Sequence, residues 1–161
     1  MSTRIVQYPS EVLRRQCEPL DIEAEQDSIR RISKALRYAV INIDDAYAVA
    51  APQIGITKRI FAYQRGSMVA SITNPTILEY SDETTTSLEG CLSIPGKFFQ
   101  IERANSVLVS GFDLQGREIT REFTDITARI FQHEIDHLNG KLIVDLLSDE
   151  EKAELLDGYT G

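Results

Sequence analysis

Tryptophan is absent from this 161-residue chain, and histidine, cysteine and methionine each occur only twice. Two cysteines, Cys17 and Cys91, cannot build the disulfide framework of a small secreted domain, so both are expected as thiols. No apolar run approaches the ~20 residues of a bilayer span, and the opening Met1-Ser2-Thr3-Arg4-Ile5 turns charged before a signal core can form. The expectation is a cytoplasmic protein without membrane contact. Basic residues are outnumbered, 17 against 25 acidic, and the net charge of -8 repels a phosphate backbone. Direct nucleic-acid binding is therefore not expected.

What is present suffices for one domain over residues 1–161: an apolar content of 42% supports a core that buries roughly two-thirds of the unfolded surface. The spacing of Ile29, Ile32, Leu36 and Val40 predicts an amphipathic helix capped near Asp27, after a short helical turn at Pro9-Ser10-Glu11. Residues 46–55, around Pro52, read as a loop leading into a strand. The period then falls to two. Three strands are predicted at 59–63, 68–72 and 76–80, separated by Gly66 and by Asn74-Pro75. A loop follows from Glu89 to Gly96, then a strand at 98–101. Residues 106–114 and 117–123 form an antiparallel hairpin turned at Gln115-Gly116.

A second helix, capped by Thr124 or Asp125, runs to Asn139-Gly140, and the steps 126, 130, 133, 137 keep one face. Both histidines are thereby predicted to continue an apolar stripe and point inward. Ser148 and Glu151 predict a capping box on a last short helix that stops at Gly158, and the acids from Asp149 to Glu151 suit its first turn. The fold class is α+β: antiparallel sheets around a central metal-binding helix, with N-terminal and short C-terminal helices.

His133-Glu134-Ile135-Asp136-His137 sets two imidazoles one helical turn apart with a carboxylate between them. That is the pattern of a metal site with its own base, and chance produces it roughly once in a thousand such sequences. A catalytic metal wants a third protein ligand. Cys91, in Glu89-Gly90-Cys91-Leu92-Ser93, is the better candidate, because its neighbouring glycine admits close backbone and a thiolate suits borderline-soft metals.

Together with Ala50-Ala51-Pro52-Gln53, these segments resemble the three ordered signature motifs of peptide deformylases, and the likeness runs over nearly the whole chain. It implies removal of the N-formyl group from the N-terminal formylmethionine of new polypeptides. Cys91, His133 and His137 would be ligands to one divalent metal, Fe2+ favoured, with Zn2+, Ni2+ or Co2+ possible occupants. Glu134 would be the general acid/base, and the Gln53 amide and Leu92 backbone N–H the oxyanion donors. Implied partners are formylmethionyl peptides or nascent chains, with transient ribosome proximity, for a monomeric enzyme. An apolar methionine pocket is expected between Ile126, Ile130 and Val49, with Ala48 and Gly90 beside the substrate. Glu89 and Arg103 are expected to pair and brace the motif loop, while Asp136 is either a partner in that bracing or a solvated helix residue.

The first motif departs from the family pattern, because Ala46 and Ala48 stand where glycines are usual and Val49 where leucine is. Each methyl either narrows the peptide trench or costs about 1 kcal/mol where φ is positive. Altered peptide preference is the expectation. Two other functions fit the residues: a zinc endopeptidase, which the missing third histidine argues against, and a non-catalytic formyl-peptide-binding module.

Overall fold

The computed structural model describes residues 4–157, so Met1 to Thr3 and the helix stop expected at Gly158 lie outside the described residues. Helix α1 (Gln26–Asn42) buries Ile29, Ile32, Leu36 and Val40 as the spacing predicts. Its cap is not Asp27, which sits within the first turn. Glu25 takes the cap position, and its carboxylate accepts from the Asp21 N–H while Asp21 accepts from Glu23 and Ala24, so the cap lies upstream.

Strands β1 (Ala48–Ala50), β2 (Ile60–Arg65), β3 (Met68–Tyr80), β6 (Ser106–Phe112) and β7 (Glu118–Thr124) form one antiparallel sheet in the order β1-β2-β3-β6-β7. Strands β4 (Thr84–Cys91) and β5 (Ile94–Ala104) form a separate hairpin. The three strands expected over 59–80 are therefore two. Asn74-Pro75 produces a register shift inside β3 instead of ending it, and Asn74 holds φ 50 because its side chain grips both the N–H and the carbonyl of Leu20. The loop expected from Glu89 to Gly96 is also corrected: the second motif closes β4, and only Leu92-Ser93 turn into β5. Thr84 to Leu88 are exposed, without the apolar alternation that marks a strand.

Along β2 the pleat sends Phe61 and Tyr63 to one face and Ile60 and Ala62 to the other, and each face finds its own helix. α1 covers the second face. The first receives α2 (Asp125–Leu138), whose Phe131 ring stacks on Phe123 at 4.0 Å and meets Tyr63 and Phe61 edge-on at 4.8 and 5.0 Å. A third cluster joins Leu13, Ile94 and Ile101 to Leu142–Val144 and to Leu155 of α3 (Asp149–Leu156). The Ser148–Glu151 capping box forms as read from the sequence.

The face of α2 differs from its predicted stripe. Its apolar contacts with the sheet come from Ala128, Phe131, Ile135 and Leu138, whereas Ile126 is 66% exposed. Both histidines do point inward, but on a second buried face shared with Arg129 and Glu134. The helix is held between an apolar layer and a polar one. That polar layer is where chemistry is assembled.

Candidate metal centre

Cys91 ends β4 and the histidines lie one turn apart on α2, so the centre is a point where hairpin and helix meet. One donor atom from each of Cys91, His133 and His137 lies within 4.8 Å of the others, and all three residues are buried. Cys91 Sγ is 3.4 Å from His137 Nε2. A thiolate and two imidazoles converging this closely are a donor set for one borderline-soft divalent cation, and no disulfide competes for the sulfur. Cys17, 2% exposed beneath Arg59, takes no part, and burial lifts its thiol to about 11.

The electrostatics agree. Burial alone would raise the Cys91 thiol, yet the charges and hydrogen bonds of His137 and His133 outweigh it and bring the group well below the ordinary cysteine value. His133 moves the opposite way: burial disfavours its cation, but hydrogen bonds to Cys91 and Glu89 carry it well above the usual histidine value. Glu134, buried between the ligands with its Oε2 unpartnered among the described residues, is raised by burial. A carboxyl group with weakened acidity beside the donors is suited to proton transfer.

Around these groups lies an ion network that orients them. Glu89 Oε1 meets His133 Nδ1 at 2.7 Å, which leaves Nε2 as the ring nitrogen turned toward Cys91. The same carboxylate accepts Arg103 at 2.7 and 3.2 Å and Arg129 at 2.9 Å. Burial pushes Glu89 upward, but its His133 and Arg103 hydrogen bonds win and hold it at about 2. Arg103 also donates to Asp136 at 2.7 Å, so Asp136 is part of the bracing and not a free helix-face residue. Arg129 and Gln132 belong to the segments that carry the family resemblance, but the sequence assigns them no role. Arg129 ties α2 to the carbonyls of Thr85 and Ile101, and Gln132 pairs with both backbone groups of Ala104. Their signal was polarity at positions 129 and 132, inside a helix segment otherwise expected to pack.

Gln53 lies in a one-turn helix, Ala51–Ile54, and is 1% exposed. Its Oε1 accepts from Ala50 N–H, which turns the amide nitrogen toward Ser93 Oγ at 3.2 Å and Cys91 Sγ at 3.8 Å. Leu92 sits at the hairpin tip directly after Cys91. These groups are brought together. The expected pocket is only partly assembled: Ile130 is half-buried one turn before His133, and Ile126 is open to solvent. Val49 is a correction, because it is fully buried in the cluster under α1 and has no surface for a substrate. Ala46 and Ala48 are buried as well, and neither has a positive φ, which removes the strain reading and leaves the steric one. Gly90 has its own reason to be glycine: a Cβ there would lie 2.8 Å from the Phe98 ring.

The polypeptide deformylase family model matches residues 2–153. The peptide deformylase of Borreliella burgdorferi is 36% identical over 157 residues, covering 96% of this chain and 93% of its own. The crystal structure of peptide deformylase from Thermotoga maritima aligns with a TM-score of 0.79 at 36% identity, over 92% of this chain and 99% of that one. A class I type b peptide deformylase from Acinetobacter baumannii, crystallised with Met-Ala-Ser bound, gives 0.81 at 30% identity, over 89% and 96%.

Proposed function

Because this chain belongs to the peptide deformylase family, we propose that Cys91, His133 and His137 hold its single metal ion and that Glu134 is the general acid/base. The chain is a hydrolase that takes the formyl group from the N-terminal formylmethionine of new polypeptides. The observation that carries the assignment of roles is the convergence of three buried donor atoms within 4.8 Å beside a buried carboxylate. A divalent cation bound there supplies Lewis-acid chemistry, lowering the pKa of water and polarising a carbonyl.

Glu134 accepts a proton from the attacking water and returns it to the amine nitrogen, so a C–O bond forms, the C–N bond breaks, and formate and a free amino terminus leave. The carbonyl oxygen gains negative charge on the way. The Gln53 amide, prefixed by Ala50 N–H, and the Leu92 N–H are the donors for that charge. Ile130, with Ala48 and Gly90 nearby, lines the path of the methionine side chain and backbone. The Met-Ala-Ser peptide of the Acinetobacter relative supports a product of this type.

Two imidazoles and a thiolate accept several metals. Our assignment is Fe2+, with Zn2+, Ni2+ or Co2+ able to occupy the same donors. No helix among the described residues is long and apolar enough to cross a membrane. The reading is completed by a monomeric, cytoplasmic enzyme, one catalytic domain over residues 1–161, meeting nascent chains close to the ribosome. Metal-replete protein is expected to release formate from formyl-Met-Ala and to leave casein intact. In Glu134→Ala, release should fall by about 10^2 to 10^4 at unchanged metal content. Wild-type turnover in that variant would overturn the assignment.

A further inference from the structure

The outward side of α1 carries Arg30, Lys34 and Arg37, whose spacings of four and three stack them on one helix face. With Ser33, Ile41 and Leu114 among its walls, they line an open surface hollow, a cavity of about 290 Å3 with one side in solvent. This face is remote from the metal centre, since α1 and α2 cover opposite sides of the large sheet. Among the described residues no carboxylate lines the cavity, so it gathers three formal positive charges in a chain whose net charge is -8.

The protein does little to neutralise them. Arg30 meets Asp27 at 3.8 Å in an exposed pair, which contributes little. Ser33 is turned away to Ser71 by a 2.6 Å hydrogen bond. Arg37 Nε is buried with no acceptor among the described residues. Leaving a buried donor of a charged group unpaired, and like charges a helical turn apart, both destabilise the free protein. A multivalent anion seated among the three side chains would relieve the repulsion and bring an acceptor to the guanidinium of Arg37.

We propose that this cavity binds a phosphate group. A tetrahedral anion of charge near -2 offers several acceptors to an arginine fork and a lysine, and it offsets three cations better than a single carboxylate does. Tyr38, also lining the cavity, and Ile41 are 38% and 64% exposed, flat and apolar surface beside the charges. The phosphate can be inorganic or part of an RNA backbone, and the test separates the two.

Zinc-loaded protein is titrated with sodium phosphate at constant ionic strength, with chloride as control, and backbone amide shifts are followed by NMR. Saturable shifts confined to α1 and the Leu114 turn are expected, with affinity reduced at least fivefold in Lys34→Ala and in Arg37→Ala while formate release stays at the wild-type rate. A second titration uses a twelve-nucleotide uridine RNA. Tighter binding than phosphate, weakening with salt at a log–log slope of about -2 for three backbone contacts, identifies a nucleic-acid backbone as the source. Binding of phosphate alone identifies a small anion. Non-saturating shifts with both probes, or affinities unchanged in both variants, would overturn the proposal.

Discussion

Glu89 and His133, on different elements 44 residues apart, share a 2.7 Å hydrogen bond, and two buried arginines hold the same carboxylate from its other sides. One ring of the candidate donor set is therefore aimed by the hairpin as well as by its own helix. Replacing Glu89 by Gln keeps the shape and removes the charge. Metal affinity, measured by chelator competition, is expected to fall 10- to 100-fold. Glu89→Ala also takes the carboxylate partner from buried Arg129, leaving it the Thr85 and Ile101 carbonyls, and leaves Arg103 only Asp136, and it should lower stability by about 3 kcal/mol in urea melts.

Gln53 is fixed by Ala50 N–H before any substrate arrives. Gln53→Ala is expected to fold, to bind one equivalent of metal and to lose about 3 kcal/mol of barrier lowering, roughly 10^2 in kcat. An unchanged kcat would remove this side chain from the chemistry.

Cys17 and Cys91 are both shielded, for different reasons. With its thiol raised to about 11 by burial, Cys17 is almost wholly protonated at pH 8, while Cys91 belongs to the donor set proposed to hold the metal. A thiol reagent at pH 8 is expected to find neither cysteine in metal-loaded protein. Chelation should expose one, and urea both.

Asp145 accepts from Arg14 and from the Leu142 N–H, and although partial burial opposes ionisation these partners hold its carboxyl below the ordinary value. A depressed folded-state pKa contributes stability that is complete above the unfolded value of about 3.9 and is lost as pH falls through the folded one. The pair is partly exposed, so its contribution is about 1 kcal/mol or less. Melts of wild type and Asp145→Asn should differ at pH 6 and converge in acid.

Neither Ala46 nor Ala48 has a strained backbone, so any effect of theirs on substrate choice must act through their methyl groups. Ala48→Gly should cost about 0.5–1 kcal/mol of stability. The Ala46→Gly/Ala48→Gly pair should change the ranking of formyl-Met peptides by their second residue. Identical profiles would leave the alanines as packing only.

Local chemistry made the two helices and the last capping box legible: the apolar period of Ile29 to Val40, the pair His133 and His137, and Ser148 with Glu151 need only their neighbours. The hairpin around Gly90 was not legible, because Thr84 to Leu88 are exposed and lack the alternation that burial imposes. Nor was the continuity of β3 through Asn74-Pro75, which depends on Leu20, 54 residues away. Val49 was misjudged because proximity along the chain says nothing of side-chain direction, and the pleat sent it beneath α1.

Residue identity and spacing alone made His133 and His137, one turn apart with Glu134 between them, a candidate metal site with its own base and Cys91 the better third donor, while the deformylase reaction class came from the resemblance of three ordered motifs. Only tertiary structure decided how they are aimed. Glu89, Arg103 and Arg129 have no common period, and their effect arises from burial that excludes water and leaves each charge dependent on the others.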